Sequence, residues 1–284
     1  MKIERIGNYF HVDERGYLIN NCNIHNNQPH WLAVVEAVKE VYLTNWNDIH
    51  SIYLRGSIAK AIAIDRVSDI DSFAVLKPGI ESTDILDRSQ IEAWAMESET
   101  GLQTRFPFIT GLEVVLLLFE SIEDRNNIYN FTIKVQATCI YGKDIASQIE
   151  PYKIDREIAF QTKYIHFHIE QFWSEFYNET EQEKKLWLNW LMRRFLRLGM
   201  EFVMEAERLY TRDLYLCYES FAKHYSQQAK QMYFALELAI NPKIDRDTIS
   251  FVRKFGDWLV ARASTKLRYW GYTQNEERCW VDSN

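Results

Sequence analysis

The stretch SIYLRGSIAKAIAIDRVSDIDSFAVL, residues 51–76, decides the fold of the first half of the chain. Residues 51–54 are mostly apolar and predict a short strand, which ends at Gly56. Residues 57–63 predict a short helix. The run Asp69–Leu76 first alternates polar and apolar residues and then becomes fully apolar, which predicts a second strand. The stretch therefore predicts a strand, a tight turn, a short helix and another strand in succession.

The turn has the composition of a phosphate-binding site. Gly56 allows the backbone to turn tightly and to approach a ligand closely. Ser57 opens the predicted helix, so unpaired N–H groups and a hydroxyl can donate to phosphate oxygens there. We therefore predict that Gly56 and Ser57 bind phosphate.

The second strand begins with two carboxylates. Asp69 and Asp71 are two positions apart, so their side chains project from the same face of a strand. Adjacent carboxylates repel each other unless a cation neutralises them. Mg²⁺ prefers oxygen ligands and retains water molecules that phosphate oxygens can replace. Asp69 and Asp71 are therefore predicted metal ligands.

A third carboxylate lies in the strongest strand signal of the chain, GLEVVLLLF, residues 111–119. A charged residue such as Glu113 is unusual within a buried apolar strand. If this strand pairs beside the one that contains Asp71, Glu113 joins the two aspartates. Three carboxylates can then hold one or two metal ions, and one of them can activate a nucleophile, as in phosphoryl and nucleotidyl transfer.

The remainder of the chain predicts a second domain. Strand signals almost vanish after about residue 150, and residues 156–178 and 184–209 have helical periodicity. We place a boundary near Glu150-Pro151, with one domain over residues 1–150 and another over residues 151–284. The predicted fold class is a small mixed β-sheet domain of the α/β type followed by an α-helical bundle.

Charge is distributed unevenly between these domains. The chain has 33 basic and 40 acidic residues; residues 1–150 contain 13 basic and 21 acidic groups, a net charge of −8, and the remainder has a net charge of +1. This balance argues against a general nucleic-acid coat protein, which needs a basic surface. It suits a carboxylate metal site or a cationic ligand, although acidity is also common in soluble proteins.

Two further features bear on location. The N-terminal residues lack the apolar core of a signal peptide, and the longest apolar stretch, Val114–Phe119, is far shorter than the roughly 20 residues that span a bilayer. We therefore expect a cytoplasmic protein that does not bind a membrane. From the charge balance we also expect that it does not bind nucleic acid. We expect it to be a monomer or a homodimer.

The motif of residues 51–76 together with Glu113 resembles the nucleotidyltransferase superfamily typified by DNA polymerase β. Within it, the chain is most similar to the two-domain aminoglycoside adenylyltransferases of the streptomycin/spectinomycin type. The segment IKVQATCIYGKDI, residues 133–145, resembles the helix and Tyr-Gly sequence that end their catalytic domain. The motif resemblance covers the first 145 residues; beyond residue 150, mainly helicity and length agree.

The resemblance implies specific roles. Gly56 and Ser57 would bind the nucleotide triphosphate, with ATP as the co-substrate. Asp69 and Asp71 would bind Mg²⁺. Glu113 would be the third metal ligand, or the base that deprotonates a hydroxyl of a small-molecule acceptor.

The helical domain of the related enzymes supplies basic groups to the nucleotide phosphates. The segment RRFLRLGMEFVMEAERLYTRDL, residues 193–214, is similar to that region. Within it, Arg197 lies off the apolar face of its predicted helix and Arg212 lies at the next loop or helix start. The resemblance implies that these two arginines bind phosphate; ordinary solvated arginines are the alternative.

The acceptor is open from the sequence. An aminoglycoside-type antibiotic, and with it antibiotic resistance, is the function that the resemblance favours. One alternative is an antitoxin-like enzyme that transfers AMP to a protein, although such chains are usually single domains. Another is a non-catalytic nucleotide-binding regulator, which would not need all of Asp69, Asp71 and Glu113.

Overall fold

The computed structural model describes residues 3–81 and 88–272 of the chain. Backbone contacts divide the chain into two compact units. Residues 13–152 form the sheet-containing unit, and residues 153–284 form the helical unit together with residues 1–12. The predicted fold class, a small mixed sheet domain and an α-helical domain, is confirmed.

Among the described residues, five strands form the mixed sheet of the first unit. They are β1 (Ile49–Arg55), β2 (Ile70–Leu76), β3 (Leu112–Glu113), β4 (Leu116–Leu117) and β5 (Thr138–Gly142). The order is β3-β2-β1-β5, and β4 also pairs with β2. Strand β1 is antiparallel to β2 and β5, whereas β2 is parallel to β3 and β4.

The apolar run over residues 111–119 is not the single strand that we predicted. It forms β3 and β4, which pair with successive parts of β2. Between them, the Val115 carbonyl accepts from the N–H of Ala74 at 2.8 Å, while the Val115 N–H donates to the hydroxyl of Tyr42 at 3.3 Å. The Val115 N–H therefore donates to the side chain of Tyr42, whereas in a continuous strand it would donate to a backbone carbonyl of β2.

Helices surround the sheet. They are α1 (Pro29–Asn45), α2 (Gly56–Ala59), α3 (Arg88–Arg105), α4 (Phe119–Glu123) and α5 (Ile128–Gln136). The predicted short helix over residues 57–63 is therefore only the four residues of α2.

Side chains on opposite faces of the sheet have different partners. Ile52 and Leu54 belong to the apolar core that α1 completes. Tyr53 points to the other face, where its ring stacks on that of Phe73 with centroids 5.2 Å apart. The Phe73 ring in turn contacts Tyr129 of α5 edge-on at 5.0 Å. Because faces alternate along a strand, Arg55 and Asp71 share the face of Tyr53 and Phe73.

The helical unit is built around one long helix. It contains α6 (Phe160–Phe176), α7 (Glu181–Glu207), α8 (Leu214–His224), α9 (Ala229–Ile240) and α10 (Arg246–Tyr269). Helix α7 contacts the other four, and its apolar face is fully buried at Leu191, Phe195 and Leu198. Among residues 3–81 and 88–272, no helix combines the length and apolar character that a bilayer crossing needs.

Candidate active site

Three charged residues lie side by side across three strands. Arg55, the last residue of β1, is paired with Asp71 of β2. Asp71 is in turn paired with Glu113 of β3. Residues that face each other on neighbouring strands project from the same side of the sheet. The strand register therefore brings Arg55, Asp71 and Glu113 into one row, with Asp71 in the middle.

The row is held by ion pairs. Nη2 of Arg55 lies 3.0 Å from Oδ1 of Asp71 and also contacts Oε2 of Glu113 closely. Burial opposes the charge of Arg55, but the charges of Asp71 and Glu113 outweigh it and raise the pKa of the guanidinium. Arg55 was not among the predicted site residues. A charged residue that ends an apolar strand immediately before Gly56 was the available signal.

Asp69 completes the acidic cluster. It precedes β2 directly, and its Cβ lies 3.9 Å from the position that a Cβ would take on Gly111. Its charge contributes to the raised pKa of Glu113. The structure therefore brings the three predicted carboxylates, Asp69, Asp71 and Glu113, to one end of the sheet.

Crowding changes the acidity of Glu113. Desolvation of its carboxyl is the largest influence and Arg55 opposes it; a hydrogen bond with Asp71 and the charges of Asp71 and Asp69 add to the rise. Together they raise the pKa of Glu113 to about 7. Its side chain is still 47% exposed, so solvent and ligands can reach it. A carboxyl with a pKa near neutrality can accept a proton in one step and release it afterwards.

The Gly-Ser turn lies against the same cluster. Gly56 has φ of +72°, and a Cβ added there would lie 2.1 Å from Oδ2 of Asp71. Oγ of Ser57 is buried and has no hydrogen-bond partner among the residues described. A buried hydroxyl without a partner is costly, so it fits a position where a ligand supplies the missing bond.

Tyr129, near the start of α5, is a second neighbour that the sequence did not reveal. Burial, and then the charge of Glu113, raise the pKa of its hydroxyl to about 12, so it stays protonated at neutral pH. The charges of Arg55 and Asp71 also act on it. Nothing in the sequence around Tyr129 indicates that it lies near the carboxylates.

The predicted phosphate ligands of the helical unit lie near each other. Nε of the half-buried Arg197 on α7 donates to the carbonyl oxygen of Arg212 at 3.5 Å. Burial, and then the charges of Arg212 and Arg193, lower the pKa of Arg197 well below its usual value. Arg197 is therefore less solvated than the alternative of an ordinary surface arginine implied, and the charges of other arginines act on it.

The acid one turn further along α7 is already engaged. The buried carboxylate of Glu201 accepts from the N–H of Gln161 at 2.9 Å and of Thr162 at 2.6 Å, at the start of α6. Glu201 therefore caps the start of α6.

The acidic cluster suits a divalent cation in its chemistry. Among the described residues, no three or more acidic, His or Cys side chains are already arranged as a metal cage; instead, one guanidinium nitrogen contacts both Asp71 and Glu113. Carboxylate oxygens are nevertheless the ligands that Mg²⁺ prefers. The guanidinium of Arg55 carries one positive charge and contacts two carboxylates, so it cannot neutralise both. The residues therefore fit a divalent cation that takes the place of Arg55.

Comparisons with known proteins identify a likeness in fold. The sequence matches no protein-family profile, and no curated protein is detectably similar to it. Among solved structures, the fold is similar to that of spectinomycin adenyltransferase AAD(9) from Enterococcus faecialis, determined with ATP and spectinomycin. The TM-score is 0.50 at 10% sequence identity, over 81% of this chain and 98% of the other. The chain therefore has a nucleotidyltransferase-like fold.

Proposed function

We propose that the protein is a nucleotidyltransferase that moves AMP from ATP to a hydroxyl group of a small molecule, with Mg²⁺. The observation that carries this proposal is the row of Asp71 and Glu113 on neighbouring strands, with Asp69 beside it, on a fold shared with an adenyltransferase. Enzymes that transfer phosphoryl or nucleotidyl groups work mainly by positioning and by neutralising charge. Clustered carboxylates meet the second need because they recruit a metal ion.

The reaction follows from the chemistry of the cluster. The acceptor hydroxyl oxygen attacks the α-phosphorus of ATP, a new O–P bond forms, and the bond from that phosphorus to the bridging oxygen breaks. Pyrophosphate leaves with the electron pair of the broken bond. Glu113 accepts the hydroxyl proton as the general base.

Each remaining predicted residue has a role in binding. Asp69 and Asp71 would hold Mg²⁺, which when bound neutralises phosphate charge, and Glu113 would be either the third ligand or the base described above. Gly56 admits close approach of a phosphate, and the unpartnered hydroxyl of Ser57 donates to it. Arg197 and Arg212 of the helical unit are proposed as further phosphate ligands.

The acceptor is the finer part of the proposal. The structurally similar adenyltransferase was solved with spectinomycin, and an acidic sheet-containing unit suits a cationic acceptor. We therefore propose an aminoglycoside-type antibiotic as the acceptor, and antibiotic resistance as the biological role.

Pyrophosphate release tests this function. The protein is incubated with ATP and Mg²⁺ and with a panel of aminoglycosides, lincosamides and spectinomycin. We expect release with at least one acceptor, and loss of about 10²-fold or more in Asp71→Asn, as for other electrostatic groups in active sites. Asp48→Asn is the matched control, since this exposed aspartate forms a surface ion pair with Lys77.

Two results would contradict the proposal. One is the absence of pyrophosphate release with every acceptor of the panel, which excludes these substrates. The other is release that Asp71→Asn and Asp48→Asn affect equally, which excludes the carboxylate cluster as the site.

A further inference from the structure

Arg55 occupies the position in which a metal ion would bridge two carboxylates. A single atom, Nη2, contacts Oδ1 of Asp71 at 3.0 Å and also Oε2 of Glu113. An ordinary surface ion pair joins one base to one acid, as Lys77 does with Asp48. Here one nitrogen serves two acids from different strands, which is the geometry of a bridging cation.

The charge of Arg55 cannot be removed by deprotonation. Guanidinium groups stay protonated in proteins, so Arg55 keeps its positive charge whatever binds beside it. A divalent cation that binds the same two oxygens would lie within a few ångströms of a permanent positive charge. The two cations repel each other, so only one of them can bridge Asp71 and Glu113 at a time.

The cluster remains attractive to a metal ion in spite of Arg55. One guanidinium contacts the carboxylates of both Asp71 and Glu113, and a single positive charge cannot neutralise two negative ones. The side chain of Arg55 is 29% exposed, which leaves it a route to turn towards solvent.

We propose that Arg55 is the resident counter-cation of this site, and that a divalent metal binds Asp71 and Glu113 only by displacing the guanidinium. Arg55 is then a positioning residue. It keeps the carboxylates together in the metal-free protein and lowers their affinity for metal. This inference rests on the proposed function, because that function assigns the metal to these carboxylates.

Mn²⁺ binding to the nucleotide-free, full-length protein tests the inference. Free Mn²⁺ has an electron paramagnetic resonance signal that is lost on binding, so affinity is measured without any enzymatic turnover. We expect Arg55→Gln to bind Mn²⁺ about tenfold or more tightly than wild type, within the range usual for two coupled ligands. Lys77→Gln removes one positive charge next to the opposite end of β2, and its affinity for Mn²⁺ should equal that of the wild type. Asp71→Asn should lose binding in both the wild-type and the Arg55→Gln background.

A second readout covers the case in which Arg55→Gln folds poorly. Arg55→Lys keeps the charge but presents a single point charge on a flexible stem, so its Mn²⁺ affinity should lie between those of wild type and Arg55→Gln. The direction of the change in melting temperature is a further test. Without metal, removal of the counter-cation should lower the melting temperature, and saturating Mn²⁺ should raise it more in either Arg55 variant than in wild type.

The outcomes separate this inference from the proposed function. If Arg55→Gln and Arg55→Lys bind Mn²⁺ no more tightly than wild type while Asp71→Asn abolishes binding, Arg55 is no competitor; the inference is overturned and the metal site stands. If no variant binds Mn²⁺, or if Asp71→Asn leaves binding unchanged, the metal site and the inference fall together.

Discussion

The backbone at Gly56 has φ of +72°, a left-handed conformation that residues with a Cβ adopt at a cost. The space beside it is also taken, because Oδ2 of Asp71 lies 2.1 Å from the position a Cβ would occupy. Backbone conformation and side-chain contact therefore both require glycine here. The close approach of Asp71 to the turn also explains why a substitution at Gly56 would disturb the carboxylates.

Gly56→Ala is expected to destabilise the protein by about 1–3 kcal/mol, the usual cost of a sparsely populated backbone conformation, with the clash against Asp71 in addition. Chemical denaturation measures this change in the free energy of unfolding. The matched control is Gly101→Ala within α3, where a Cβ meets no atom within 4 Å. The control should be stabilised by about 0.5–1 kcal/mol, the helix preference of alanine over glycine. Equal effects of the two substitutions would contradict this account of Gly56.

At the scale of elements, the sequence reveals contacts that depend on local spacing, but it does not reveal contacts that depend on the register between strands. Asp69 and Asp71 lie two positions apart, so strand alternation alone predicts that they are neighbours. Arg55 and Glu113 are 58 positions apart and meet only because β1 and β3 both pair with β2. The predicted cluster of three carboxylates required residues 111–119 to pair with β2. The sequence gives no sign of the register between β1 and β2 that places Arg55 beside Asp71, because that register depends on tertiary packing.

The same distinction explains the differences within elements. The apolar run over residues 111–119 has the composition of one strand, yet it forms two because Tyr42, far away in sequence, accepts a hydrogen bond from Val115. The periodicity of α7 was sufficient to predict a long buried helix, since each apolar position repeats within a few residues. Tyr129 carries no local signal because its neighbours at the site come from three other elements.

The start of α7 offers a prediction at this scale. The side chain of Thr180 accepts from the N–H of Glu183, and the Glu183 carboxylate accepts from the N–H of Thr180, which is a capping box. Thr180→Ala should therefore destabilise the protein by about 1 kcal/mol, as for other N-cap substitutions. Chemical denaturation again provides the measurement.

Thr265→Ala is the matched control for Thr180. Its hydroxyl donates within α10 to the carbonyl of Ala261, so no helix end depends on it, and alanine is the better helix former. A loss of stability in Thr265→Ala as large as that in Thr180→Ala would show that the cap is not responsible.

At the scale of the whole molecule, charge separates into an acidic cluster in one unit and a basic pair in the other. The sheet-containing unit concentrates Asp69, Asp71 and Glu113 at one end of its sheet. In the helical unit, Arg197 is half-buried among other arginines, and burial together with their charges lowers its pKa. A positive charge in such a position is unfavourable in the ligand-free protein, and phosphate binding is the role that we propose for Arg197.

Arg197→Met is therefore expected to act in opposite directions on stability and on ligand binding. Methionine keeps the long unbranched side chain and removes the repulsion from Arg212 and Arg193, so the melting temperature without ligand should rise. The rise in melting temperature that ATP and Mg²⁺ cause should shrink, because a ligand stabilises a protein only through its affinity for the native state. Arg246→Met, at the exposed start of α10, is the control and should leave the ATP effect unchanged. If Arg197→Met lowers the ligand-free melting temperature and retains the full ATP effect, Arg197 supports the fold and is not a phosphate ligand.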